Sequence, residues 1–131
     1  YGIYYTIHLD ENLNPCDFNE RVSAEYTETV IQTINIAKKL NVPILNMHLT
    51  SGVYFTLPEK KVLLFEEYTD DYLKRLTDFR DVCTATIGNA NIKICIENCG
   101  DYARVASLFV KKGLILLLGS PAFGLTFDVR A

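Results

Sequence analysis

Two imidazoles and two carboxylates fall at the ends of strand-like runs: His8, His48, Glu97 and Asp128. A mixed nitrogen and oxygen donor set of this kind suits Zn, Mn, Co or Fe. Two carboxylates buried near one another without a cation would cost several kcal/mol or force protonation. Each residue has an ordinary alternative, since a strand-end His is often only hydrogen-bonded and a strand-end acid often caps the next helix. A shared metal role therefore depends on the elements that carry the four residues.

Those elements alternate. A strand is expected at Tyr4 to Leu9, followed by Asp17 and Glu20 in capping-box spacing. Tyr26, Val30, Ile34, Ala37 and Leu40 then form one apolar helical stripe that Asn41 ends. Pro43 to Leu49 reads as the second strand. A short helix is expected over Pro58 to Glu67, and a longer one follows from Thr69, its hydroxyl acting as cap. Leu73, Leu76, Phe79, Val82 and Cys83 give the longer helix its buried side, and Gly88-Asn89 stops it. Ile92 to Glu97 is the third strand. Asp101 can cap a helix from near Arg104 toward Leu118, where a strand over Leu114 to Leu118 is the alternative. Ser120-Pro121 stops that helix before the fourth strand, Gly124 to Val129. The order βαβαβαβ implies a parallel sheet with right-handed crossovers.

Side chains alternate across a strand, so each strand divides into two faces. One face carries Tyr5, Ile7, Leu9, Leu45, Met47, Leu49, Ile92, Ile94, Ile96, Leu125, Phe127 and Val129, which are apolar and suited to packing on helices. The other carries Thr6, His8, Asn46, His48, Lys93, Cys95, Glu97, Gly124, Thr126 and Asp128. An open doubly wound sheet would need both faces apolar. A polar second face fits a barrel interior with all helices outside and an active site at the C-terminal mouth. His8, His48, Glu97 and Asp128 share the inward phase and converge on that mouth.

The stretches Tyr-Tyr-Thr-Ile-His-Leu ending at Leu9, Ile-Leu-Asn-Met-His-Leu ending at Leu49, Ile-Cys-Ile-Glu-Asn ending at Asn98 and Phe-Gly-Leu-Thr-Phe-Asp-Val ending at Val129 resemble the xylose isomerase-like TIM barrels. This family includes sugar phosphate isomerases and epimerases, inosose dehydratases and endonuclease IV type repair enzymes. The resemblance implies an α/β fold, a partial (β/α)8 TIM barrel comprising strands three to six. It implies that Glu97 and Asp128 bind a divalent metal (Mn, Zn, Co or Mg), with Glu97 also catalytic. It implies metal or substrate contacts for His8 and His48, with Asn46 and Asn98 as further substrate-side residues. Ala131 stands where the family usually has a His, and the family's seventh-strand His and eighth-strand Glu have no counterpart. Residues 1–131 thus read as one segment of a barrel domain, lacking its first and last strands and expected to be inactive alone.

The leading function is a metal-dependent sugar or sugar-phosphate isomerase or epimerase that works through an enediolate. An endonuclease IV-like phosphodiester hydrolase is the alternative, and a truncated, non-catalytic barrel fragment the second. The formal net charge of -3 and a rim of mixed sign argue against nucleic acid as a partner. A half barrel would self-associate or pair with missing barrel segments. Across 131 residues, 49% hydrophobic and 22% charged, the chain should fold, and its longest apolar run, Gly113 to Leu118, is too short to span a bilayer. Four cysteines in no zinc spacing suggest free thiols and a cytoplasmic location.

Overall fold

The computed structural model describes residues 2–50, 52–97 and 108–126. In chain order the elements are β1 (Thr6–His8), α1 (Glu20–Leu40), β2 (Ile44–Met47), β3 (Tyr54–Thr56), β4 (Lys61–Leu63), α2 (Leu64–Glu67), α3 (Thr69–Ile87), β5 (Lys93–Glu97), α4 (Leu108–Leu118) and β6 (Phe123–Thr126). Strands β1, β2, β5 and β6 form one sheet in that spatial order, and each neighbouring pair is parallel. Because spatial order follows chain order and crossovers keep one hand, the helices collect on one side of the sheet.

The helix-facing side is the core. Leu45, Met47, Ile94 and Ile96 are at most 1% exposed, and they join Val30, Ile34 and Ala37 of α1 and Tyr72, Leu76, Phe79 and Cys83 of α3 in one buried cluster. On the opposite side Thr6 and His8 are exposed, Asn46, His48 and Glu97 are half-buried, and Cys95 is buried. This is the polar inner face that strand alternation requires of a barrel wall.

Two contacts reveal the curvature. His8 is in register with Asn46 and, through it, with Cys95, yet its ring meets Glu97, two residues further along β5. Asn46 is in register with Cys95 and hence with Gly124, yet its side chain accepts a hydrogen bond from Thr126, two residues further along β6. Both contacts bridge two strands on the inner face, so that face is concave. Both also advance one residue per strand, the stagger that closes eight strands into a barrel of shear eight.

Local chemistry explains where the elements begin and end, sometimes against expectation. The cap of α1 is Asn19 rather than Asp17. Its side chain accepts from the backbone N–H groups of Arg21 at 3.1 Å and Val22 at 3.4 Å, while Asp17 Oδ1 accepts from Asn19 N–H at 2.8 Å. Replacing Asn19 with alanine should cost about 1 kcal/mol in urea denaturation. Asn41 closes α1 in the left-handed region, φ 53°, as its position predicted. Leu40, expected on the buried stripe, is 66% exposed beside this cap.

The expected helix over Pro58 to Glu67 is largely a β-hairpin. Leu57 N–H donates to Lys60 O at 2.8 Å around Pro58-Glu59, and β3 pairs antiparallel with β4. Pro58 pre-sets a turn there instead of opening a helix, and only Leu64–Glu67 is helical. Thr69 likewise does not cap α3. It lies within the first turn and its hydroxyl donates to Glu66 O at 2.8 Å. The buried side of α3 is Tyr72, Leu76, Phe79, Cys83 and Ile87, whereas Val82 is 39% exposed. Leu114 to Leu118 is helical, which resolves the ambiguity of that run in favour of α4.

Two apolar positions expected against helices are open: Tyr5 is 78% and Leu125 54% exposed. Among the described residues no helix covers the sheet beyond β1 or beyond β6. The expected cap at Asp101 lies outside the described residues. No described helix is long and apolar enough to cross a membrane.

Candidate metal and active site

Three of the four strand-end residues meet. His8 is the last residue of β1, His48 follows the last residue of β2, and Glu97 is the last residue of β5. Inward phase and the one-residue stagger bring His8 and Glu97 to one height at the C-terminal mouth, with His48 one residue further along its strand. Glu97 lies between the two rings. Its Oε1 is 3.4 Å from His8 Nε2 and its Oε2 is 3.1 Å from His48 Nε2. The rings stand edge to face with centroids 4.8 Å apart. The Glu97 side chain is 13% exposed and the imidazoles 39% and 27%, so the carboxylate lies deepest.

The hydrogen bonds of His8 test the site for a cation. Its Nδ1–H donates to Leu9 O at 2.6 Å, which leaves Nε2 of the neutral ring with a lone pair facing the carboxylate. Two electron-rich atoms held at 3.4 Å call for a second proton on the ring or a cation between them. A ring whose second nitrogen is anchored to a backbone carbonyl is the usual arrangement of a metal-ligating histidine. One donor atom from each of the three residues lies within 4.8 Å of the others. Ligands about 2.1 Å from one ion are about 3.0–3.4 Å apart along a polyhedron edge, which matches both nitrogen to oxygen distances. The residues fit a divalent ion bound by two nitrogens and a carboxylate.

Beneath this cluster, Thr126 Oγ1 donates to Asn46 Oδ1 at 2.8 Å. Asn46 therefore belongs to the inner face, with its carbonyl oxygen already committed. Thr126 was legible as inward-facing by alternation, but only the barrel's stagger reveals its partner. Asp128 and Asn98, the other expected site residues, lie outside the described residues.

A cluster of rings supports the mouth from the side. Phe18, in the loop after β1, meets Phe65 edge to face at 5.3 Å and Tyr68 at 5.9 Å, and Phe65 stacks on Tyr72 at 4.7 Å. At the hairpin's root Gly52 has φ +78°, and a Cβ there would come within 2.5 Å of the Phe65 ring. The loops that follow β1 and β2 are thus joined at their bases.

No family model matches the chain, and no curated protein matches it. The architecture is that of a partial (β/α) barrel. Among solved structures, the chain is similar to a D-tagatose 3-epimerase-like protein, with a TM-score of 0.68 and 21% sequence identity. The match covers 98% of this chain and 46% of that one, so the chain spans about half the length of the structure it resembles. At this identity the likeness is one of fold.

Proposed function

We propose that the chain is one half of an eight-stranded barrel in the xylose isomerase-like class, and that its mouth isomerises or epimerises a small sugar or sugar phosphate. The convergence of His8 and His48 on Glu97, with the His8 tautomer pinned by Leu9 O, carries this reading. The name of the D-tagatose 3-epimerase-like protein supports the substrate class. His8, His48 and Glu97 would hold a divalent metal, with Asp128 as a fourth ligand. Such an ion supplies Lewis acidity, polarising a sugar carbonyl and acidifying the neighbouring C–H.

The chain's own groups then have distinct tasks. Glu97, deep in the mouth and contacted by both imidazoles, is the carboxylate placed to accept a proton from carbon next to the carbonyl. The bond from His8 to Leu9 O keeps Nε2 directed inward. Asn46, oriented by Thr126, and Asn98 serve the substrate's hydroxyls.

Elemental analysis and calorimetric titration with Mn and Zn test the site. The unmodified chain should take up close to one ion, and Glu97→Gln should weaken binding by about a hundredfold or more, with Asp128→Asn also weaker. An unmodified chain that binds neither ion would sink the proposal.

A further inference from the structure

We infer that Thr126 is a positioning residue for the mouth: it turns the Asn46 amide so that its N–H groups, and not its carbonyl oxygen, face the reacting oxygen of the substrate. This rests on the sugar reading of the mouth and adds which substrate atom Asn46 serves. The register of the strands sets Asn46 against the site. His8 of β1 and Glu97 of β5 meet at 3.4 Å across β2, the strand between them. The β2 residue level with that contact is Met47, which faces the helices and is buried in the core. The inward residues Asn46 and His48 therefore flank the contact, one below it and one above. His48 reaches Glu97 from above at 3.1 Å. Asn46 holds the matching place on the floor.

Thr126 decides what Asn46 offers from there. Its Oγ1 donates to Asn46 Oδ1 at 2.8 Å. A threonine hydroxyl has one proton to give, and a side-chain amide has one acceptor oxygen and two N–H donors. With the oxygen tied toward β6, the donor end of the planar amide is turned away from that strand. The reverse orientation, with Asn46 Nδ2 donating to Thr126 Oγ1, would leave both the hydroxyl proton and Oδ1 without a partner among the described residues, whereas the observed one leaves only N–H groups. Both side chains are half-buried, where an unmatched polar group is costly. An amide fixed in this way binds an oxygen lone pair and does not accept a hydroxyl proton.

Enolisation produces such an oxygen beside Glu97. As the Glu97 carboxylate takes the proton from carbon, the C–H electron pair becomes the C=C bond and the carbonyl π pair moves onto oxygen. Glu97 becomes neutral while negative charge grows on that oxygen. A donor already aimed at the place where charge develops stabilises the transition state more than the ground state. Asn46 is the residue that touches the oxygen, and Thr126 acts only through Asn46.

Two measurements on the 131-residue chain test this. In NMR of the metal-free, nitrogen-labelled chain, neither Asn46 Nδ2 proton should be protected by a bond to Thr126. In calorimetry, the zinc-loaded chain is titrated with glycolohydroxamate, a planar anionic mimic of an enediolate. Thr126→Val keeps the shape of threonine without the hydroxyl and should bind the mimic about tenfold more weakly, while Thr126→Ser keeps the hydroxyl and should stay within about twofold of the unmodified chain. Zinc uptake should be equal in all three, which separates the loss from damage to the ligand set or the fold. Equal binding of the mimic by all three chains would overturn the proposal. So would an equal loss in both variants, a Thr126→Val chain that loses zinc together with the mimic, or an Nδ2 proton protected by Thr126. An unmodified chain that takes up no zinc sinks the metal reading by itself, and the NMR result still decides which way Asn46 faces.

Discussion

Raising the pH from neutrality to about 10.5 should remove about 4 kcal/mol of folding stability through two thiols alone. Cys16 and Cys83 are buried in the core and their thiols are pushed up to about 12 from 9.0 by burial, with the Arg75 guanidinium offsetting part of the effect at Cys16. Below pH 9 both states hold these protons and the stability is fully present. Above it the unfolded chain ionises while the folded chain does not, so each thiol subtracts about 1.4 kcal/mol per pH unit until the folded group titrates near 12. Burial, and then Cys16 beside it, raises the Tyr72 phenol as well, which adds a loss of the same sign at higher pH. A total near 4 kcal/mol is a large part of the stability of an ordinary domain. Urea denaturation at the two pH values measures it. Cys16→Ala and Cys83→Ala should each make the decline shallower by about 2 kcal/mol, even though each loses packing at neutral pH. Equal declines in all three proteins would refute the assignment.

Substituting Gly113 should be comparably damaging, and in the opposite sense to helix propensity. Gly113 lies within α4, where alanine would normally gain about 1 kcal/mol. A Cβ there would stand 2.7 Å from the Tyr72 hydroxyl and 3.0 Å from Leu76 Cδ2. Tyr72 cannot easily yield, since it is 1% exposed and stacked on Phe65. Gly113→Leu should therefore cost about 3 kcal/mol, and Gly113→Ala about 1 kcal/mol net. Removing the obstructing oxygen gives a specific check. In a double-mutant cycle, Gly113→Ala should be better tolerated in a Tyr72→Phe background, with a coupling of about 1 kcal/mol. No coupling would place the strain elsewhere.

The sheet was legible because its strands alternate cleanly. Leu45 and Met47 against Asn46 and His48, and Ile94 and Ile96 against Cys95 and Glu97, divide the two faces by alternation alone. The order of strands and the inward phase of His8, His48 and Glu97 followed from that pattern. The hairpin was not legible. Pro58 is as suitable for a turn as for the start of a helix, and short runs such as Tyr54–Thr56 and Lys61–Leu63 have too few residues to show a period. The cap of α1 was misplaced by two residues because Asp17 and Asn19 are both good caps, and Asp17 is occupied in holding the backbone of Asn19. The pairing of Asn46 with Thr126 depends on curvature, which no local pattern encodes.

The rings beside the mouth separate what must stay fixed from what can vary. Phe18, Phe65 and Tyr72 hold the roots of two successive loops, whereas Tyr54, Phe55 and Leu57 on the hairpin beyond them are about half exposed. A tip that carries no core weight tolerates insertion and exchange far better than its foundation. The hairpin is therefore the natural place for such a barrel to acquire a new preference by lengthening or replacing one loop, while His8, His48 and Glu97 keep their spacing.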